Sequence, residues 1–243
     1  MNFNSKYSLL DPIAQGRCFD FSLQFLNFGI PNTVRYRTRQ RDLMGIAERR
    51  QRQKDEVRTS ILDTAWQIVD SEGWQALSIR RIADAIEYSV PVIYDHFENK
   101  EAIQYEFTIR GFRLLNEQLR SAKAQFSDPG RQLEAMAYAY WRFAFDNKEY
   151  YQLMYGLGLP TCETIQKIPE LNTLTELIIS SVQELIKTSG NQDAEAHLKF
   201  HTFWSMLHGL IAINMMGKGH TREEMNMMVL KDFLEGFLAG FKN

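Results

Sequence analysis

The chain has 243 residues, of which 44% are hydrophobic and 24% charged, so it can form one large or two small globular domains with a buried core. Its two cysteines, Cys18 and Cys162, lie far apart and form neither a disulfide framework nor a CxxC pair, so nothing requires an oxidising compartment and we expect a cytoplasmic protein. The longest apolar run, LIAINMM at 210–216, is far shorter than the roughly 18 residues that span a bilayer, and no secretory signal is recognisable, so we expect no membrane association.

A basic segment lies near the N-terminus, although the net charge of the chain is −2. Between Arg35 and Arg58 there are nine basic and four acidic side chains. Such a segment can lie along nucleic-acid phosphates, or it can be a solvated arm. Residues 1–43 show no repeat and no strong periodicity, and we place the end of this N-terminal extension, residues 1–46, just before the first predicted helix. We therefore expect an extension without a stable fold, either disordered or an over-extended start.

The hydrophobic pattern is helical along nearly the whole chain. Apolar residues at three- and four-residue spacing predict a first helix over 47–72 that ends before Gly73. Ser78 and Ser89 predict the caps of two short helices, and Asn99 predicts the cap of a long helix that Asp128-Pro129-Gly130 breaks. Further helices are predicted at about 131–147, 149–157, 170–188, 193–217 and 222–241. No convincing strand is present, so the sequence predicts an all-α fold.

The two short helices, joined by Glu87-Tyr88, have the spacing of a helix-turn-helix. The outward positions of the second helix include Val90, Pro91 and Val92. These residues make a small, smooth surface that fits a major groove, where apolar groups can contact thymine methyls. Spacing alone does not separate this function from plain core structure.

The run LSIRRIADAIEYSVPVIYDHFENKEAI, from Leu77 to Ile103, resembles the N-terminal DNA-binding domain of the TetR family of bacterial transcriptional regulators. The resemblance covers residues 47–107 and implies a three-helix domain with a helix-turn-helix. It also implies that residues 108–243 form a C-terminal helical bundle for ligand binding and dimerisation. The chain departs from the family pattern in the turn, where Glu87 replaces a glycine and Tyr88 replaces a valine.

Carried over position by position, the resemblance implies which residues contact double-stranded operator DNA. Residues 90–92 would face base edges, Tyr94 and Lys100 would reach phosphates, and Ser78 and Arg80 would touch the backbone or the groove rim. For His96, groove contact and simple packing both remain open. The predicted DNA-binding residues are Ser78, Arg80, Ser89, Val90, Pro91, Val92, Tyr94, His96 and Lys100.

The C-terminal half resembles a TetR subgroup with a Trp, His and Gly signature, present here as Trp204, His208 and Gly209. Aromatic and soft apolar residues between positions 131 and 216 have the composition of a small-molecule site, although aromatics at helical spacing also form ordinary cores. The predicted ligand-binding residues are Trp141, Phe145, Tyr151, Met154, Tyr155, Trp204 and His208. The region lacks a basic cluster, so we expect an apolar or amphipathic effector whose identity the sequence does not define. We predict no cofactor.

The last two predicted helices are expected to form a homodimer interface. On helix 222–241 the apolar residues cover an arc of roughly 200°, which is wider than one neighbouring helix normally covers. Burial of this arc within one subunit is the alternative. Two-fold symmetric proteins read near-palindromic sites, so a dimer also fits operator binding.

Together these features predict a repressor that releases its operator on binding a small molecule. A ligand-independent DNA organiser with the same helix-turn-helix is one alternative. A helical metal-binding enzyme is another, since His197, His201 and His208 fall near one helix face. No HExxH motif, nucleophile motif or Gly-rich phosphate loop accompanies these histidines, so we predict no catalytic residues and no metal site.

Overall fold

The computed structural model describes residues 32–155, 168–190, 194–216 and 223–241. Every regular element in these ranges is helical, as the sequence predicts. None of the helices there combines the length and the apolar character needed to cross a membrane. The helices are α1 (Asn32–Glu72), α2 (Ile79–Ala85), α3 (Val90–Tyr94), α4 (Lys100–Ala124), α5 (Pro129–Asp146), α6 (Lys148–Tyr155), α7 (Pro169–Ser189), α8 (Ala196–Met216) and α9 (Glu223–Ala239), with a short 3₁₀ turn at Trp74–Ala76.

Side-chain caps begin three of these helices. The Ser78 hydroxyl accepts from the Arg81 amide at 3.3 Å, and the Asn99 and Asp128 side chains each accept from an amide three residues on, both at 2.8 Å. Each cap satisfies a backbone donor that the helix itself leaves unpaired. Ser89 precedes α3 in an extended conformation. Ser89 is thus the N-cap residue, as predicted, but it makes no side-chain capping bond, and Pro91 in the first turn fixes the backbone for the helix.

Two helix starts differ from the prediction. The first helix begins at Asn32, not at residue 47, so residues 32–46 are helical where we expected no stable fold. This stretch contains four arginines and one each of Gln, Leu and Met, all of high helix propensity, which the absence of an apolar stripe had concealed. Residues 1–31 lie outside the described part of the chain. The fifth helix begins at Pro129 instead of 131, because Asp128 caps it and proline fits the first helical turn.

The chain divides into two compact units, Met1–Arg52 and Gln53–Asn243. In the described part of the first unit, residues 46–52 of α1 are exposed. The second unit contains two hydrophobic cores. The first core joins α1, α2, α3 and the start of α4, and it buries Ile82, Ala83, Ile93 and Phe97, as the family resemblance implies. The second core joins α4 to α9 and contains most of the remaining buried aromatic side chains.

The turn between α2 and α3 is a Schellman motif with glutamate in the position that normally holds glycine. The Tyr88 amide donates to the Ala83 carbonyl at 3.0 Å, and the Glu87 amide donates to the Asp84 carbonyl at 3.3 Å. Glu87 has φ 58°, the left-handed region. A side chain with a Cβ atom is strained there, by about 1–2 kcal/mol. The turn therefore keeps the geometry of a glycine-containing Schellman motif at an energetic cost.

We predict that Glu87→Gly raises the free energy of unfolding by about 0.5–1 kcal/mol. Glycine relieves the strain of the left-handed conformation, and its greater freedom in the unfolded chain offsets part of that gain. Urea denaturation of parent and variant measures the difference. Glu87→Ala is the matched control, since it removes the carboxylate but keeps the Cβ atom. Equal stabilisation by alanine and glycine would mean that the charge, and not the backbone, causes the effect.

Candidate DNA-binding and effector sites

The helix-turn-helix presents a small surface along α3. Pro91 and Tyr94 are exposed, Tyr94 by 53%, whereas Val90 and Val92 are half-buried. Val90 packs partly against the first core, so it is less available to DNA than its neighbours. Tyr88, in the turn, is 46% exposed. The outward surface is thus formed mainly by Pro91, Val92 and Tyr94, with Tyr88 as an aromatic neighbour that the sequence analysis did not assign.

The two cations predicted to contact DNA, Arg80 and Lys100, lie on the helices before and after α3. Arg80 lies on α2 with an 87% exposed side chain, and its ion pair with Asp84 is long, at 4.0 Å. Lys100 is the first residue of α4, where the unpaired amides of the helix add positive potential. Arg81 is instead engaged with Glu72 at 2.5 Å and with the Ala76 carbonyl. Only Arg80 and Lys100 of these three cations are therefore placed to meet phosphates.

His96 is half-buried at the end of the helix-turn-helix, and its Nδ1 atom is buried without a hydrogen-bond partner. Burial, followed by the positive charges of Lys54 and Arg58, lowers the pKa of His96. Arg58 donates to the His96 carbonyl at 3.1 Å, pairs with Glu106, and lies 4.2 Å from the centre of the Phe97 ring. Arg58 thus fixes the junction of α3 and α4. A groove contact by His96 stays a prediction.

Five aromatic side chains of α5, α6 and α8 meet in what we call the tyrosine–histidine cluster: Tyr140, Tyr151, Tyr155, Trp204 and His208. The Tyr140 hydroxyl lies 2.9 Å from His208 Nε2, and the Tyr151 hydroxyl lies 2.7 Å from His208 Nδ1. The rings of Trp204 and Tyr155 each lie 4.4 Å from the His208 ring, in edge-to-face orientation. Four of the seven predicted ligand-binding residues are therefore brought together.

The tyrosine–histidine cluster is uncharged at neutral pH. Burial lowers the pKa of His208 to about 4 and raises the pKa of Tyr151 to about 12. The pKa values of Tyr140 and Tyr155 are raised well above the ordinary value, again mainly through burial. The buried Tyr155 hydroxyl makes no hydrogen bond of good geometry, although the Tyr140 hydroxyl lies close enough to affect its pKa, and Oδ1 of Asn116 on α4 has no hydrogen-bond partner. Each of these atoms can accept or, for Tyr155, donate a hydrogen bond.

Of the other three predicted ligand-binding residues, Trp141 and Phe145 contact each other and Met154 contacts α4. Trp141 is buried and pairs with Phe145, their ring centres 4.7 Å apart, while Phe145 itself is 40% exposed. Met154 is buried against α4, where Gly111 leaves room for its sulfur atom. Tyr140 is a cluster member outside the predicted set, although its helical spacing from Leu133 and Phe143 places it on the buried face of α5.

Helix α6 contacts both cores. Tyr151 and Tyr155 belong to the tyrosine–histidine cluster, whereas Leu153 belongs to the first core. Tyr150 stacks on Trp66 of α1, with ring centres 4.2 Å apart and an interplanar angle of 21°. The indole of Trp74 donates to the Glu149 carbonyl at 2.8 Å. A displacement of α6 would therefore change its contacts with the first core, which holds the helix-turn-helix.

The structure does not bring the three histidines of the enzyme alternative together. His197 and His201 are exposed, whereas both ring nitrogens of His208 face tyrosine hydroxyls. Within the described ranges, no group of three His, Cys, Asp or Glu residues is arranged to hold a metal ion. This geometry gives the metal-binding alternative no support.

Helices α8 and α9 present an exposed apolar surface. Leu230, Leu234 and Phe237 of α9 are buried within the subunit, so the wide apolar arc of this helix is only partly covered. Its exposed members, together with those of α8, are Leu198, Met206, Ile213, Met225, Met228 and Val229. A Cβ atom added at Gly209 or Gly236 would meet nothing within 4 Å, so the backbone is open to close approach there.

Two family descriptions match the sequence: Bacterial regulatory proteins, tetR family, over residues 61–104, and Tetracyclin repressor-like, C-terminal domain, over residues 133–229. The HTH-type transcriptional regulator YobS of Bacillus subtilis is 25% identical over 189 residues, which are 75% of this chain and 93% of YobS. The HTH-type transcriptional activator FasR of Mycolicibacterium smegmatis is 26% identical over 168 residues, covering 69% of this chain and 75% of FasR.

A solved structure shares the fold. The transcriptional regulator FadR from Bacillus subtilis, crystallised in complex with stearoyl-CoA, superimposes with a TM-score of 0.61 at 16% sequence identity. The superposition covers 75% of this chain and 98% of FadR. At this identity the likeness concerns the architecture alone.

We predict that stability falls between pH 6.5 and pH 4 because His208 resists protonation. The unfolded chain takes up a proton at His208 near pH 6.5, whereas the folded protein does so only near the lowered pKa of about 4. Stability is therefore complete above pH 6.5, and up to about 3 kcal/mol is lost as the pH falls to 4. Urea denaturation across this range should show a shallower pH dependence for His208→Gln than for the parent.

His201→Gln is the matched control, since it removes an exposed histidine from the same helix. It should keep the pH dependence of the parent. His96 has a lowered pKa as well and acts with the same sign, but it is present in all three proteins. Identical slopes for His208→Gln and the parent would contradict the neutral, buried state of His208.

Proposed function

This chain belongs to the TetR family of bacterial DNA-binding transcriptional regulators, and on that premise we propose that it is a repressor which releases its operator when a small apolar or amphipathic ligand binds. The observation that carries the proposal is the position of α6, which contacts both the tyrosine–histidine cluster and the first core. We assign DNA binding to residues 47–107 and effector binding and dimerisation to residues 108–243. The protein would act in the cytoplasm, where the chromosome lies.

The chemistry of the tyrosine–histidine cluster supports an effector without a large charge. All of its members are neutral at pH 7, and neither lysine nor arginine belongs to it. The unpaired Tyr155 hydroxyl offers one hydrogen bond within otherwise aromatic walls. An apolar molecule with a single polar group fits these surroundings. The complex of FadR with stearoyl-CoA is consistent with an amphipathic ligand in this fold.

Coupling would pass through α6 as a population shift. A ligand that contacts Tyr151 and Tyr155 favours one position of α6, and Tyr150 and Leu153 on the same helix transmit this position to Trp66 and the first core. The spacing of the two helix-turn-helix heads in a dimer then changes. Operator affinity falls by no more than the preference of the ligand for one state.

The function is tested by operator selection followed by release. Purified protein should select a near-palindromic duplex from a random library, and Lys100→Ala should weaken binding to all sequences alike. Fatty acids, their CoA thioesters and apolar aromatic compounds are then screened for thermal stabilisation and operator release. We expect Tyr155→Phe to weaken an active compound about three- to tenfold, the range for one lost hydrogen bond.

Tyr150→Ala tests the coupling in the same assay. It should bind the active compound with parental affinity but release the operator less completely, because the stack on Trp66 is lost. Phe145→Ala is the control, since Phe145 lies outside the tyrosine–histidine cluster, and it should behave like the parent. A compound that binds without changing operator affinity would exclude ligand control and favour the ligand-independent organiser. Since the relative FasR is named an activator, a reporter gene then decides the sign of regulation.

We predict that the exposed apolar surface of α8 and α9 forms a homodimer. Ile213→Glu and Val229→Glu each place a charge in that interface, and a buried unpaired charge should weaken the dimer at least about thirtyfold. Sedimentation at micromolar concentration should show a dimer for the parent and a monomer for the variants. Gln183→Glu, on the exposed face of α7, should leave the dimer unchanged. A monomeric parent would contradict the prediction.

A further inference from the structure

Helix α3 and the turn before it lack the side chains that most often read base edges by hydrogen bonding. From Ile82 to Glu98 the sequence contains no Arg, Lys, Asn or Gln. Arginine and lysine read guanine, and asparagine and glutamine read adenine, through paired hydrogen bonds in the major groove. Base recognition by this segment must therefore use other contacts.

The two neighbouring arginines Arg81 and Arg58 do not fill this gap, because each is already paired. Arg81 is held by Glu72 and the Ala76 carbonyl, and Arg58 is held by Glu106 and the His96 carbonyl. Arg80 and Lys100 lie on the neighbouring helices α2 and α4, positions suited to phosphates and not to bases. The exposed surface of α3 itself consists of Pro91, Val92 and the ring of Tyr94.

The apolar side chains of α3 are suited to contact the methyl group of thymine in the major groove. Thymine alone among the four bases carries a methyl group there, and apolar side chains recognise it. Pro91 is exposed, and Val92 is half-buried without belonging to the side chains packed on the first core. Both can therefore bury a methyl group in the groove.

We infer that α3 reads its operator chiefly through thymine methyl groups, with Pro91 and Val92 as the specificity-determining residues. The inference rests on the proposed operator binding and adds the chemistry by which the operator is selected. Burial of one methyl-sized group corresponds to about a fourfold change in affinity. The hydroxyl of Ser89, which makes no capping bond, is available for a supplementary polar contact.

The acidic side chains around the turn are the alternative candidates for base recognition. Asp84, Glu87 and Asp95 are exposed on or beside α2 and α3. A carboxylate can accept a hydrogen bond from the amino group of cytosine, but it also repels the phosphates on either side. Cytosine reading by Asp95 is therefore the alternative that an experiment must separate.

The test replaces each thymine of the selected operator by deoxyuridine, which removes the methyl group and leaves the hydrogen-bonding edge unchanged. The parent protein should bind about fourfold more weakly for each contacted position. In Val92→Thr, which exchanges a methyl for a hydroxyl at nearly constant shape, the loss at the position contacted by Val92 should shrink below twofold. Arg80→Gln is the control, because the loss of a phosphate contact should weaken binding to thymine and deoxyuridine operators equally.

A fully deoxyuridine-substituted operator that the parent binds within twofold of the thymine form would overturn the inference. So would a cytosine preference that disappears in Asp95→Asn together with indifference to deoxyuridine. Because the substitution scan uses the parent protein, it does not depend on the folding of any variant. Failure to select any operator would refute the proposed function, whereas a selected operator indifferent to deoxyuridine refutes only this inference.

Discussion

The stack of Tyr150 on Trp66 links the two parts of the molecule on which regulation depends. Its ring centres are 4.2 Å apart, and the neighbouring hydrogen bond from Trp74 to the Glu149 carbonyl holds the start of α6 against the same core. Aromatic pairs of this kind have defined geometry and bury a large apolar area. The short helix α6 therefore has little freedom to move independently of the DNA-binding domain.

The opposite side of α6 imposes a second constraint. Tyr151 and Tyr155 lie one turn apart on that side, and both contact the neutral ring of His208. Polar groups buried among aromatic rings are stable only when they remain uncharged or find partners, because a low dielectric penalises charge. A chain of neutral contacts thus runs from His208 through α6 to Trp66. Helix α6 also packs closely on α4, because Gly111 leaves room for Met154.

Sequence reasoning succeeded where structure is local. Helix periodicity, the helix-turn-helix motif and the predicted N-cap positions Ser78, Ser89 and Asn99 involve residues within a few positions of one another, so the pattern alone predicts them. The sequence pattern does not predict contacts between distant segments. Examples are the pairs of Arg58 with Glu106, Tyr140 with His208, and Trp66 with Tyr150. The same limit explains why Trp141 and Phe145 were grouped with the cluster. Composition identifies aromatic residues, but only packing decides which of them share a neighbour.

The left-handed backbone of Glu87 bears on motion as well as on energy. Strain located in one turn lowers the free energy of local opening for that turn without lowering it equally for the rest of the domain. The segment from α2 to α3 would then exchange its amide hydrogens through sub-global fluctuations while α1 and α4 stay closed. Contact with DNA would suppress these fluctuations, so part of the binding free energy would be used to order the segment from α2 to α3.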